Sequence, residues 1–226
     1  MTIKVSKCLS ASALKYLACL SMLIDHTGYL LFPHIAVLRW IGRLAFPVFA
    51  FMIANGYRYT ADPGKYFLRL LLFAAVFQLP YKLMMADGHL SVLFTLSTGL
   101  AAVWLGDIIE SKIADRRLSL VCSFLAVAFL AAMAQLSGMD YGWYGVALIY
   151  TAWLFFENFS LLVISWILLN IAAVCCGWQE AQLFSLAALV PLYFYNQQQG
   201  SSGRWFFYFF YAGHIVVLYL LKIVIF

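Results

Sequence analysis

Of the 226 residues, 65% are apolar (AVILMFWYC) and 10% charged, with a mean hydropathy of +0.93, against roughly 45–50% apolar and about 25% charged in a soluble domain. No water-soluble fold of this size hides so much apolar surface behind 14 basic and 9 acidic side chains, so a soluble enzyme is excluded and the bilayer becomes the solvent. The net charge of +5 is dispersed at the ends of apolar runs, as topology-setting cations are, and no nucleic-acid partner is expected.

A helical span needs about 20 apolar residues, which gives an all-α polytopic membrane bundle of about nine transmembrane helices (about 8–10) in one domain over residues 1–226. The basic start, Met1 to Lys7, leads into an apolar stretch without a small-residue cleavage signature, so the first span is read as retained. Span 1 covers roughly 11–32, span 2 roughly 41–58, span 3 roughly 66–85, span 4 roughly 90–110 and span 5 roughly 118–137. Span 6 (roughly 142–156) and span 7 (roughly 159–177) are divided only by Glu157 and Asn158, and spans 8 and 9 cover roughly 182–196 and 206–226. The polar stretch Asn196–Gly203 reads as a cytoplasmic linker between the last two spans.

Orientation follows from the positive-inside rule. A cytoplasmic N-terminus puts Lys4, Lys7, Arg58, Lys65, Arg69, Lys112, Arg116, Arg117 and Arg204 at cytoplasmic ends, and leaves Arg39, Arg43 and Lys82 outside with Asp87, Asp140 and Glu180. Nine spans then put the C-terminus outside. The five cysteines, Cys8, Cys19, Cys122, Cys175 and Cys176, have no metal-ligand spacing and read as small buried residues; no metal site is expected.

Ionisable groups at membrane depth are expensive and mark function. Asp25 and His26 lie in the outer half of span 1; neighbours on a helix do not face each other, so either each has its own partner or a break at Thr27-Gly28 lets them converge. A histidine beside a carboxylate is a general base at neutral pH. In Arg39-Trp40-Ile41-Gly42-Arg43-Leu44-Ala45-Phe46-Pro47, an arginine stands one turn before a proline that frees a carbonyl; Arg43 is a good partner for Asp25, which reads equally as the plain buried counter-ion of Arg39 or Arg43. Span 2 ends in Asn55-Gly56-Tyr57-Arg58-Tyr59, with Lys65 and Arg69 following. Those cations and tyrosines suit an anionic, aromatic-bearing ligand as well as they suit plain interfacial anchoring. His214, after Ala212 and Gly213 in the last span, sits where another helix can approach closely. Gln78, before Pro80-Tyr81, and Asp140-Tyr141-Gly142 read as turn and cap chemistry, and His34 and His89 as solvated loop histidines. No phosphate loop, nucleophile elbow or zinc-protease helix is present.

The motifs Met22-Leu23-Ile24-Asp25-His26, Ile41-Gly42-Arg43-Leu44-Ala45-Phe46-Pro47-Val48-Phe49 and Phe209-Phe210-Tyr211-Ala212-Gly213-His214, in that order, resemble the TraX family of conjugal-transfer membrane proteins. Weaker echoes lie at Val92-Leu93-Phe94 and Asp140-Tyr141-Gly142. The resemblance implies a bacterial inner-membrane protein linked to N-acetylation of F-type pilin, distantly similar to integral-membrane acyltransferases that draw on cytoplasmic acetyl-CoA. By resemblance, Asp25 and His26 take the place of the family's DH pair, Arg43 that of its GR arginine and His214 that of the last-span histidine. His26 is then the base, Asp25 and Arg43 support it, and acetyl-CoA is held through Asn55, Arg58, Lys65 and Arg69. The expected partners are the lipid bilayer and a pilin-like or other amine acceptor. Two other readings remain open: a non-catalytic assembly factor for pili, and a proton-coupled transporter relaying through Asp25, His26 and His214. The latter finds no inverted-repeat signal in the chain.

Overall fold

Punctuation by proline, glycine and charge decides where the helices stop. The computed structural model describes residues 7–85, 88–201 and 204–225; Lys4, Asp87 and the side chains of Arg204 and Ala212 lie outside the described set. Among the described residues every extended element is helical: α1 (Ala11–Leu30), α2 (Ala36–Gly42), α3 (Ala45–Tyr59), α4 (Pro63–Met85), α5 (Val92–Lys112), α6 (Arg116–Leu136), α7 (Gly142–Leu154), α8 (Phe159–Cys175), α9 (Leu189–Tyr193) and α10 (Arg204–Ile225), with a 3-10 stretch, Glu180–Ala188, before α9.

Each expected span coincides with helix, but the count of nine crossings does not follow. Three helical stretches among the described residues are long and apolar enough to cross a membrane: Ala36–Tyr59, made of α2 and α3, then Val92–Lys112 and Arg116–Leu136. Helix α7 has 13 residues and α8 has 17, and at 1.5 Å per residue about 13 residues reach only ~20 Å into a hydrocarbon core of ~30 Å.

The chain divides into two compact units, Met1–Met52 with Asn170–Phe226, and Ile53–Leu169. In the first, α1 packs on α2 and on α10, and α2 on the 3-10 stretch. Tyr16 meets Phe206 and Phe207 at ring distances of 5.3 and 5.0 Å, while His26, further along α1, meets His214, further along α10. The first and last helices therefore run parallel.

The described part of the segment read as a cytoplasmic linker, residues 196–201, is docked on the start of α1. Gln198 and Gln199 accept, through their carbonyls, the N–H groups of Ala11 and Ser12 at 2.8 and 3.1 Å. Two donors that a helix start leaves without intrahelical partners are thereby satisfied, and Ser10 caps a third from Ala13 at 3.3 Å. Gly200 makes the fit possible. Its φ is +74°, and a Cβ there would stand 2.1 Å from Ser12 Oγ.

In the second unit, α5, α6 and α7 pack on one another and α4 on α5. Ala102, Ala134 and Val146 form a tight core that Val127, Leu130, Ala131, Met139 and Tyr150 surround. Helix α6 is built inside out. Ser119, Ser123 and Ala134 are its buried positions, while Val121, Phe124, Leu125, Phe129 and Leu136 are exposed. Small residues inward and large apolar ones outward are what lipid rather than water selects. At one end of this unit Gln78 donates to the His89 carbonyl at 3.1 Å and accepts from the Ser91 N–H at 2.8 Å, so it braces the turn after α4. The Asp140 carbonyl takes the Thr95 hydroxyl, and the Tyr141–Gly142 step, with Tyr141 at φ 63°, starts α7.

Candidate functional site

On α1, Ser21, Asp25 and Gly28 are spaced four and three residues apart and share one face, and that face meets α2. The Ser21 hydroxyl donates to the Ile41 and Gly42 carbonyls at 2.7 and 3.3 Å. Asp25 makes its ion pair with Arg39, one of the two arginines that the sequence offers it, and not with Arg43. Arg39 gains three contacts at once: the carboxylate, the Asp25 carbonyl at 3.4 Å, and the Tyr29 ring at 5.3 Å from its guanidinium carbon. Arg43 stays close enough for its charge to act on Asp25, yet its Nε is buried with no hydrogen-bond partner among the described residues. Pro47 has no N–H to offer the Arg43 carbonyl four residues back, and the helix breaks at Arg43 and Leu44, one turn before the proline.

His26, one residue on, points elsewhere. Helix α1 continues unbroken to Leu30, so Asp25 and His26 do not converge and each has its own partner. The Nδ1 of His26 lies 2.7 Å from the Nε2 of His214, and the two rings are almost parallel, at 4°. His214 is 6% exposed. Its other nitrogen, Nδ1, lies 2.6 Å from the Phe210 carbonyl, and the Phe210 ring stacks on it at 4.9 Å. No carboxylate meets His26 among the described residues; a second imidazole takes that place. Nor is Gly213 the point of close approach, since a Cβ there would meet nothing within 4 Å among the described residues. The approach is made by the His214 ring itself.

The residues expected to hold a nucleotide lie in the second unit. Arg58 pairs with Glu157 and lies over the Phe156 ring at 4.4 Å. Lys65 pairs with Asp62 at 3.1 Å, and Arg69 sits over the Tyr66 ring at 5.4 Å. Asp62 is held below the usual carboxylate range, first by the Lys65 backbone N–H that it accepts and then by the Lys65 ammonium. Two of the three cations thus already face a carboxylate, which weakens the positive field that the sequence suggests. Both pairs are substantially exposed, so an incoming phosphate exchanges with them at small cost. Asn55 is 8% exposed and is no part of that exposed group. Tyr57 donates to Asp107 at 2.6 Å.

Sequence reasoning missed one buried polar cluster. Gln182, Ser185 and Ala188 recur every third residue and form the buried face of the 3-10 stretch, because a 3-10 helix stacks residues i and i+3. The Ser185 hydroxyl donates to Asn170 Oδ1 at 2.8 Å, and both residues are 1% exposed. Gln182 is 2% exposed, and neither atom of its amide has a hydrogen-bond partner among the described residues. The available signal was the period-three polar spacing in an apolar stretch too irregular for an α-helix.

Comparison with known proteins finds a probable fimbrial assembly protein FimC (serogroup H1) of Dichelobacter nodosus, 31% identical over 110 residues, covering 42% of this chain and 45% of that protein. An uncharacterised protein of Rickettsia prowazekii is 38% identical over 66 residues, 29% of this chain and 25% of that protein. The chain thus spans less than half the length of these curated relatives. No solved structure matches. The family described as TraX protein matches residues 10–222, nearly the whole chain with all three of the motifs above, and the chain belongs to it.

Proposed function

We propose that the protein is an integral-membrane acyltransferase of the bacterial inner membrane, multi-pass with a cytoplasmic N-terminus, that moves an acetyl group from acetyl-CoA to an amine such as the N-terminus of a pilin-like protein. The observation that carries this reading is the His26–His214 contact, two imidazoles 2.7 Å apart between apolar helices. Ionisable side chains at membrane depth are retained for chemistry or transport, and a half-buried histidine held by a second one suits a general base.

The reaction needs few groups. The amine nitrogen attacks the thioester carbonyl carbon, the carbon–sulfur bond breaks with its electron pair going to sulfur, and the proton lost by the nitrogen passes to His26 and then to the departing thiolate. Arg43, whose Nε has no partner among the described residues, is the donor offered to the developing oxyanion, a role worth roughly 10²–10³-fold in rate for one donor. Asp25 and Arg39 hold α1 against α2. The second unit separately carries Arg58, Lys65 and Arg69, exposed cations of the kind that attract a phosphate-bearing ligand.

A second reading has its own support. The FimC relative is described as a probable fimbrial assembly protein, which favours a non-catalytic assembly role. Membranes containing the protein, incubated with radiolabelled acetyl-CoA and a pilin-like peptide bearing a free amine, separate the two. Label transfer by wild type but not by His26→Gln supports the enzyme. Equal label with both variants removes His26 from the mechanism, and no label above empty membranes favours assembly.

A further inference from the structure

The contacts around His214 dictate which atom of His26 is reactive. A carbonyl oxygen only accepts hydrogen bonds, so the 2.6 Å contact between His214 Nδ1 and the Phe210 carbonyl requires the proton of His214 to sit on Nδ1. A charged His214 is disfavoured: the ring is 6% exposed, and no carboxylate contacts it among the described residues, which would leave an unpaired buried charge. The neutral ring then carries a lone pair on Nε2. The nitrogen 2.7 Å away, Nδ1 of His26, must supply the hydrogen, and parallel rings with centroids as far apart as 4.9 Å meet edge to edge at that contact, so the N–H faces the lone pair. Nε2 of His26 is left unprotonated.

We propose that His214 is a positioning residue that locks His26 in its Nδ1–H tautomer, so that Nε2 of His26 is the atom that takes the proton from the attacking amine. The proposal rests on the acyltransferase reading for its chemistry and on the two contact distances for its geometry. Burial divides the roles. His214 is 6% exposed and His26 is half-buried, so His26 is the ring that offers surface to a substrate. As the amine nitrogen bonds to the acetyl carbon, its proton moves to Nε2, the resulting imidazolium keeps its Nδ1–H bond to His214, and Nε2 returns the proton to the thiolate as the carbon–sulfur bond breaks. Without His214, the lone pair is free to appear on Nδ1, on the wrong side of the ring.

The test reads the tautomer and the activity separately. The full chain, 15N-labelled at its four histidines and held in nanodiscs, gives distinct nitrogen shifts for the two tautomers, with His26 assigned through His26→Gln. The wild type is expected to show His26 as Nδ1–H. His214→Phe is expected to lose that state and about 10²-fold or more of acetyl transfer, the usual worth of a general base. His214→Gln, whose amide oxygen still accepts from Nδ1, is expected to keep the tautomer and to recover transfer to within about tenfold of wild type. An Nε2–H His26 in an active wild type overturns the lock alone. So does His214→Phe losing transfer with the His26 tautomer unchanged. An Nδ1–H His26 in a wild type that acetylates nothing leaves the lock standing and overturns its proton-transfer role together with the acyltransferase reading.

Discussion

The Asp25 carboxylate lies so close to the backbone of Gly42 that a Cβ on that glycine would stand 2.0 Å from Oδ1 and 2.4 Å from Cγ. The contact is made by atoms that cannot swing away, because Asp25 is tied to Arg39 and the helices are pinned by Ser21 donating to the Gly42 carbonyl. Gly42→Ala is therefore expected to push α2 off α1 and destabilise the protein by about 1–3 kcal/mol, the usual cost of overpacking. Thermal unfolding in detergent measures it, and an unchanged midpoint contradicts the packing.

The two arginines in and just after α2 are expected to behave differently. Arg39 and Asp25 have side-chain exposures of 31% and 18%, so solvent screens part of their attraction. Arg39→Ala is expected to cost about 1–3 kcal/mol, below the ~3–5 of a fully buried pair. Arg43→Leu removes a buried Nε without a partner and is expected to cost under about 1 kcal/mol while lowering acetyl transfer by roughly 10²-fold. Equal stability losses in the two variants contradict the Arg39–Asp25 pairing.

These two sites mark how far the sequence could be read. Helix positions were legible because apolar run length and punctuation are local, and α5 and α6 fall within a few residues of the expected spans. Partner choice was not. Arg39 and Arg43 are one turn apart on the same stretch, and only the close crossing at Gly42 decides which guanidinium reaches Asp25. His26 and His214 were each conspicuous as ionisable groups in apolar helices, but their meeting across 188 positions is a tertiary fact without a local trace. The docking of Asn196–Ser201 onto the start of α1 was hidden by a polar composition that reads as a linker between spans, since glutamine backbone carbonyls bound to helix N–H groups leave no pattern in side-chain type. The Gln182 cluster follows a period of three, outside the periods of 3.6 and 2 by which elements are ordinarily recognised.

Asp62 offers a pH test outside the membrane. Its carboxyl is held below the usual range by the Lys65 N–H and ammonium, so the stabilisation is present above the unfolded value of about 4 and is lost as pH falls through the lower folded value. Amide exchange at the start of α4 is expected to stay protected from neutral pH down to about 5 and to lose protection below about 4. Asp62→Asn, which still caps the helix, is expected to flatten that dependence. A wild-type profile that stays flat under acid contradicts the coupling.

Gln182 allows a substitution that strengthens the protein. Its amide is 2% exposed, neither its nitrogen nor its oxygen has a hydrogen-bond partner among the described residues, and such a group costs about 1–3 kcal/mol in lost hydration. Methionine has nearly the same length and volume, no polar atoms to satisfy and enough flexibility to fill the same space. Gln182→Met is therefore expected to raise stability by about 1–2 kcal/mol, whereas Ser185→Ala, which breaks a buried bond to Asn170, is expected to lower it by a similar amount. Reversible unfolding of the two variants in the same detergent decides the matter. If Gln182→Met is the destabilised one, the amide has a partner in the folded protein and the stripe is a satisfied network.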